Sequence, residues 1–581
     1  MASYRTKALA VAAAASMSFT LAACGGGSSD NNTNSSGGDG GGTLTYYIRS
    51  AYEHMDPQRS YYGVQMTNLS RTVYRSLVAF PISTDATTST TPVPDLATDT
   101  GTSSDQAKTW KFTLKDGIKW QDGSPITCED FKYGASRVFA TDVITGGPNY
   151  ILTYLDIPTD PKTGLPTYTG PYKSSPAGIA AFNKAITCDG NTITYHFKKS
   201  WPDFPLAVAA LHMMDPYKKS QDQGDKSSWK VFSNGPYELQ GGTWGKDTGG
   251  TFVRNPNYDP KTDSTDIRKA LPDKIVFKVG QTSEQITDEL VADSGNDQGA
   301  ITQQSIPSSK YSEITGDIAK RTVSVESPYV DYLVPNFNRL KNPVVRQALA
   351  TAFNATGWVA AGGGPKAYKE AHDIVSPSVK GYQDDLFPAG AGDPAAAKAA
   401  MQKAGVKLPY PITYSYPSTP TADAQARVIA KGWEAAGFDV KLDGVANSDT
   451  YYTNIQAPDQ KADIVWAGWG ADWPSAITVT APLFDSRPNL TSKSNGQDYG
   501  AYKSDAFNAL VDKAQSATSL DDQTKFLQQA DQVLAKDVAY IPTDIPIFYM
   551  ARGSKVMNYI TTASSSGYPD LGPIDVSSSI K

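Results

Sequence analysis

The chain has 581 residues, too many for one hydrophobic core, so two or three lobes are expected. Its 53 basic and 59 acidic residues are spread along the length, for a net charge of -6, and no basic block marks a nucleic-acid partner. Charged residues make up only 19%, while 32 tyrosines and 10 tryptophans fit either ordinary packing or an aromatic-lined cleft.

The N-terminus carries Arg5 and Lys7, then "ALAVAAAASMSFTLAA", which has signal-peptide length and is short for a membrane span. It ends in "LAAC" followed by Gly25, which resembles a bacterial lipobox with Cys24 as the lipidated residue of the mature chain. An ordinary signal peptide with a chance cysteine is the alternative. Residues 1–23 are thus expected to be a signal peptide, and 24–43 a lipidated cysteine and tether. The stretch "GGGSSDNNTNSSGGDGGG" has almost no apolar side chain and would reach about 20–25 Å as a random coil. This arrangement places the protein on the outer face of a bacterial cell membrane, held by its lipid.

Further elements follow in chain order. "GGTLTYYIRS" alternates as a strand, "NLSRTVYRSLVAF" has helical periodicity, and "KTWKFTLKDGIKWQDGSPIT" reads as a hairpin region with Asp-Gly turns at Asp116 and Asp122. "CEDFKYGASRVFA" is helical. Residues 141–187 are rich in Gly, Pro and Tyr and read as loops and short helices. "NTITYHFKK", the pair "YELQGG" and "GGTFVRNPNYDP", and "DKIVFKVG" are strands. "SEQITDELVADSG" opens a helical region, and a helix after "SPYVDYLVPNFN" begins at Asn342-Pro343. "DPAAAKAAMQKAG" is a helix with Asp393 as N-cap, Pro394 in its first turn and Gly405 beyond its end. "PITYSYPS", "TADAQARVIAKGWEAAG" and "FDVKLDGV" form a β-α-β pattern. "ADIVWAGW" is a further strand, the stretch from Asp505 to Asp537 is helical, and "AYIPTDIPIFYM" returns to strand.

Cys128 and Cys188 are an even pair in an exported chain, which points to one disulfide worth about 3–4 kcal/mol; two buried free thiols are the alternative. Catalytic motifs are weak. "GAGDPA" lacks a preceding strand and is better explained as a helix cap. "GTWGKD" is not a phosphate loop. His54, His196, His212 and His372 are scattered, and "DSGNDQG" is off register for calcium. No catalytic residue, metal site or cofactor is assigned, and an exported hydrolase is disfavoured.

Several ordered stretches together resemble the extracellular solute-binding proteins of ATP-driven oligopeptide and dipeptide importers. They are "MDPQ" (Met55–Gln58), "PDLA" (Pro94–Ala97), "WKFTLKDGIKWQDGSPITCEDFKYGASR", "SNGPYEL", "RNPNYD", "PNFNRLKNPVVRQALATAFN", "ADIVWAGWGADW" and "AYIPTDIPIFY". "CED", "WPSA" after Asp472 and the long 141–187 region depart from the pattern. The resemblance implies an α/β, periplasmic-binding-protein-like two-lobe clamp of the large three-subdomain type. Lobe one spans 44–284, with an inserted subdomain at about 75–230; lobe two spans 285–540; residues 541–581 return to lobe one. The implied protein is a monomer that is not an enzyme, captures extended peptides between the lobes and delivers them to importer permease subunits.

By the same resemblance Asp472 accepts the ligand's α-ammonium group, with helix or turn capping as the alternative. Gly468 and Gly470 would let a ligand backbone approach, and Trp469 and Trp473 would wall the pocket. Ala51 and Tyr52 would supply the facing edge. Tyr150, Asn234 and Tyr549 are further candidates, for which ordinary packing is the alternative. The residues around the loop contain no arginine for a ligand carboxylate, which favours longer peptides or a ligand without one. An oligosaccharide stacked on Trp469 and Trp473 is one rival, and a surface receptor, adhesin or signalling clamp is another.

Overall fold

The computed structural model describes residues 41–577. Cys24 and the signal and tether segments, up to residue 40, lie outside them. Three sheets organise the chain into an α/β, multi-domain clamp. The first has five strands in the order Ala300–Thr302, Thr43–Ile48, Lys274–Val279, Gly250–Arg254, Tyr237–Leu239. Thr43–Ile48 runs parallel to both its neighbours and places Tyr46 opposite Phe277. Burial of Leu44, Tyr46 and Ile48 from this strand anchors its core.

The second sheet has seven strands. Thr322–Glu326, Ile541–Ala551, Tyr329–Pro335, Ile464–Gly470, Tyr410–Pro417 and Phe438–Val445 follow in that order, and Tyr368–Glu370 pairs with Ile541–Ala551. The expected β-α-β unit is present: Tyr410–Pro417 and Phe438–Val445 run parallel across helix Pro420–Ala435, which buries Ile429 and Trp433. Helix Pro394–Lys403 starts as its sequence dictates, with the Asp393 carboxylate accepting from Ala396 N at 2.8 Å.

A four-stranded sheet, Thr102–Ser104, Thr109–Thr113, Thr192–His196, Ile186–Asp189, lies in the chain between strands Thr43–Ile48 and Tyr237–Leu239 of the first sheet, within the stretch expected to be an insertion. Its strand Thr109–Thr113 pairs with Thr192–His196, eighty residues away, rather than with the segment just after it. The expected hairpin shrinks to a tight turn at Asp122-Gly123 between Ile118 and Ile126. Cys128 and Cys188 are joined, tying helix Cys128–Arg137 to strand Ile186–Asp189.

Three expectations shift. The helix placed at 68–80 is Gly63–Thr72, and Val78–Ala79 is a strand paired with Val93–Pro94. Beyond Thr72 the backbone is captured by tertiary contacts: the Asn234 amide accepts from Arg75 N at 2.7 Å and donates to Arg75 O at 3.0 Å. Ala300–Thr302 still pairs with Thr43–Ile48, so the chain leaves the first sheet near 302 rather than 285. Ile541–Ala551 belongs to the second sheet, so the return falls after 551, where Val556 and Ile574 join the first sheet's core.

Candidate ligand-binding site

Strand Ile464–Gly470 runs antiparallel to Tyr329–Pro335 along its whole length, but its other edge pairs with Tyr410–Pro417 only at Ile464 and Val465. Among the described residues no strand covers that edge from Ala467 to Gly470. The strand then feeds a turn, Ala471–Pro474, into a cavity of about 420 Å³. Gly468, Trp469, Gly470, Asp472 and Trp473 all line it. The cavity's other wall comes from the start of helix Gly63–Thr72, with Tyr61 and Tyr62 before it, and from the C-terminal segment at Ala563, Ser564, Ser566 and Tyr568. It therefore lies where the second sheet's edge meets elements packed on the first sheet's core, a favourable place for a ligand.

Asp472 is held without a cation. Its Oδ2 accepts from the Tyr61 hydroxyl at 2.7 Å and from the Tyr150 hydroxyl, and its backbone N–H donates to Thr478 Oγ1 at 3.2 Å. No described group bonds Oδ1. Burial pushes the carboxyl up to about 6, against the two phenols, which pull it down by bonding to the charged form. Asp472 does not cap a helix; the turn is braced by Thr478, whose carbonyl oxygen also accepts from Trp469 Nε1 at 2.8 Å.

The glycines have a different reason from the one the sequence suggests. A Cβ on Gly470 would sit 2.5 Å from Cδ1 of Tyr329, and one on Gly468 would sit 2.5 Å from Oδ1 of Asp331, their cross-strand partners. Both positions line the cavity, but neighbouring side chains already exclude a larger residue.

Trp473 lines the cavity and has a second role besides. It is 1% exposed, its Nε1 donates to the Asp203 carboxylate, and its ring packs edge-on against Tyr150 at 4.7 Å. Asp203 and Tyr150 lie in the inserted stretch between the first sheet's strands, so Trp473 ties that stretch to the second sheet's loop. A platform of two stacked tryptophans for a sugar is therefore not available.

The remaining expected site residues lie elsewhere. Tyr52 is buried in the first sheet's core, stacked on Trp244, and its hydroxyl accepts from Asn68. Ala51 is half-buried in the preceding loop and is not part of the cavity lining. Asn234 closes the end of the Gly63–Thr72 segment, as above, and Tyr549 packs against Tyr311 and Ile306 away from the cavity. Tyr61, Tyr62, Tyr329 and Tyr568 were not singled out by sequence reasoning. The available signal was two adjacent tyrosines just after "MDPQ", exposed by 39% and 43%.

The first-lobe motifs prove to be charge networks. Asp56 of "MDPQ" is clamped by Arg137 at 2.7 and 2.5 Å, and Asp95 of "PDLA" by Arg75 and Arg268 at 2.8 and 2.6 Å. Arg71, which reaches the cavity wall, is engaged twice by Asp570 at 2.8 Å and donates a third bond to Phe80 O.

A family model for bacterial extracellular solute-binding proteins, family 5 (middle), matches residues 91–491. The chain is 22% identical to the periplasmic oligopeptide-binding protein OppA of Salmonella typhimurium, over 90% of this chain and 89% of that one. It is 23% identical to the periplasmic murein peptide-binding protein MppA of Escherichia coli, over 83% of each. Among solved structures, clavulanic acid biosynthesis oligopeptide binding protein 2 superimposes with a TM-score of 0.82 at 24% identity, over 92% of this chain and 95% of that one. DppA from Helicobacter pylori, in complex with the peptide STSA, does so with a TM-score of 0.67 at 19% identity, over 92% and 98%. With more than half of its length matched by the family model, and with a clamp fold shared with these structures, the chain belongs to the bacterial extracellular solute-binding proteins of family 5.

Proposed function

We propose that this protein captures extended peptides in the cavity and hands them to the permease of an ATP-driven importer. The observation that carries this reading is the uncovered edge of strand Ile464–Gly470 running directly into Asp472. An extended ligand adds to that edge through main-chain hydrogen bonds and brings its ammonium group to the free Oδ1 of Asp472. The names of relatives such as OppA and MppA agree with a peptide ligand. Native mass spectrometry of protein purified from its own host tests the reading: a bound peptide is expected, and a bound oligosaccharide overturns it.

The same proposal takes the protein as a monomer that acts by binding rather than by catalysis, anchored outside the cell through Cys24. Support for the anchor is the "LAACG" stretch and the Gly/Ser tether after it. Among the described residues no helix is long and apolar enough to cross a membrane. Cys24→Ser is expected to release the protein from membranes or leave it unprocessed. Palmitate incorporation that persists in this variant contradicts the anchor.

A further inference from the structure

The charges that line the cavity do not balance for a zwitterion. Among the described residues lining it, Asp472 is the one carboxylate and Arg71 the one cation. Asp472 keeps Oδ1 available, as described above. Arg71 is not available in the same way. Its Nε and Nη2 donate to the two oxygens of Asp570, and its Nη1 donates to Phe80 O. Asp570 is itself fully buried, so the pair is neutral and closed.

The remaining polar lining is uncharged. The Tyr62 and Tyr329 hydroxyls both face that of Tyr568. The Gly63 backbone lies beside the Tyr329 and Ser566 hydroxyls, so that a Cβ there would be 3.3 and 3.4 Å from them. Hydroxyls such as these donate to and accept from amides and alcohols without supplying charge. A carboxylate brought into the cavity would face Asp472 and find no free side-chain cation among the lining residues, only the backbone N–H groups at the start of helix Gly63–Thr72.

We propose that the cavity selects ligands that carry one ammonium group and no carboxylate inside it: short peptides whose C-terminus is amidated or otherwise masked. This rests on the peptide reading above and narrows its substrate class. Free-acid peptides short enough to lie wholly within the cavity are disfavoured by charge, not by shape.

The test incubates the full-length protein with an equimolar mixture of random tripeptides, half as free acids and half as C-terminal amides. Retained peptides are identified by mass spectrometry after ultrafiltration. Amides are expected to be retained over acids of the same sequence by at least about tenfold. Equal retention, or a preference for acids, overturns the inference and leaves peptide capture standing. Retention of neither form overturns this inference, which requires a short amidated peptide to be held, while peptide capture itself is decided by the native mass spectrometry above. Ser564→Lys supplies the missing cation at the cavity wall, and retention of acids relative to amides is expected to rise at least about tenfold. A variant with the wild-type melting temperature and an unchanged ratio contradicts charge as the cause.

Discussion

Carboxylates wholly or largely removed from water are held in two opposite ways in this clamp, with an arginine and without one. In the first lobe and its inserted subdomain, Asp56, Asp95 and Asp570 each meet an arginine at 2.5–2.8 Å. Burial alone would raise the Asp95 carboxyl, but Arg268 and Arg75 outweigh it and hold Asp95 below the usual carboxylate range. In the second lobe Asp472 meets phenols, Asp544 meets an indole N–H, and Asp373 and Asp531 meet each other and Tyr540. None of these four has an arginine or lysine partner in the described structure, and burial pushes each of them up. The difference separates two uses of an aspartate. An arginine-paired one is committed to holding elements together, while an unpaired one keeps a proton or waits for a cation. Of the second group, only Asp472 lines the cavity.

The contrast is broken most forcefully from the paired side. Arg137→Met leaves Asp56 and Asp222 buried without their cation, and urea denaturation is expected to show a loss of about 3–5 kcal/mol. A loss below 1 kcal/mol would mean that the network is not structural. On the unpaired side the expected response is to pH. On the proposed reading an ammonium ligand binds the ionised carboxyl; burial raises the carboxyl to about 6, so binding below that pH would first have to expel a proton. Affinity is expected to be flat above about pH 7 and to fall by about tenfold per unit as pH drops below 6. Titration calorimetry from pH 5 to 8 checks this, and a flat profile throughout contradicts it. The smallest expected effect is that of Tyr61→Phe. Its hydroxyl lowers the Asp472 value by bonding the charged form, so its removal shifts the pH midpoint of binding upward. At neutral pH the loss should be a few-fold, about 0.5–1.5 kcal/mol. An unmoved midpoint would detach Tyr61 from the carboxylate's chemistry.

What the sequence makes legible follows the range of the forces involved. The Asp393 cap, the β-α-β unit and the strand into Asp472 are local patterns, and each is found where its residues place it. Asp472 itself stands out because a carboxylate between two tryptophans after a buried strand demands a partner. Long-range partners leave no such trace. Nothing near Tyr52 or Asn234 announces that Asn68 and Arg75 will claim them. The glycines at 468 and 470 read as room for a ligand until the register with Asp331 and Tyr329 is known. Trp473 reads only as a pocket wall until Asp203, 270 residues earlier, is found on its indole nitrogen. Tyr150, in a long, irregular insertion, bonds the Asp472 carboxylate instead of lining the cavity, a contact that its sequence neighbourhood does not announce.

The central claim is that Asp472 awaits a ligand cation, and a two-by-two calorimetric cycle tests it most directly. Wild type and Asp472→Asn are each titrated with a peptide retained from the native protein and with its N-acetylated form. The amide keeps the side chain's shape and an oxygen for Tyr61 and Tyr150, so unfolding stability should change by less than about 1 kcal/mol. Affinity should fall by tens to thousands of fold, about 2–5 kcal/mol, for either single change, and little further when both are made. Unchanged binding by Asp472→Asn, or losses that simply add, would contradict the account.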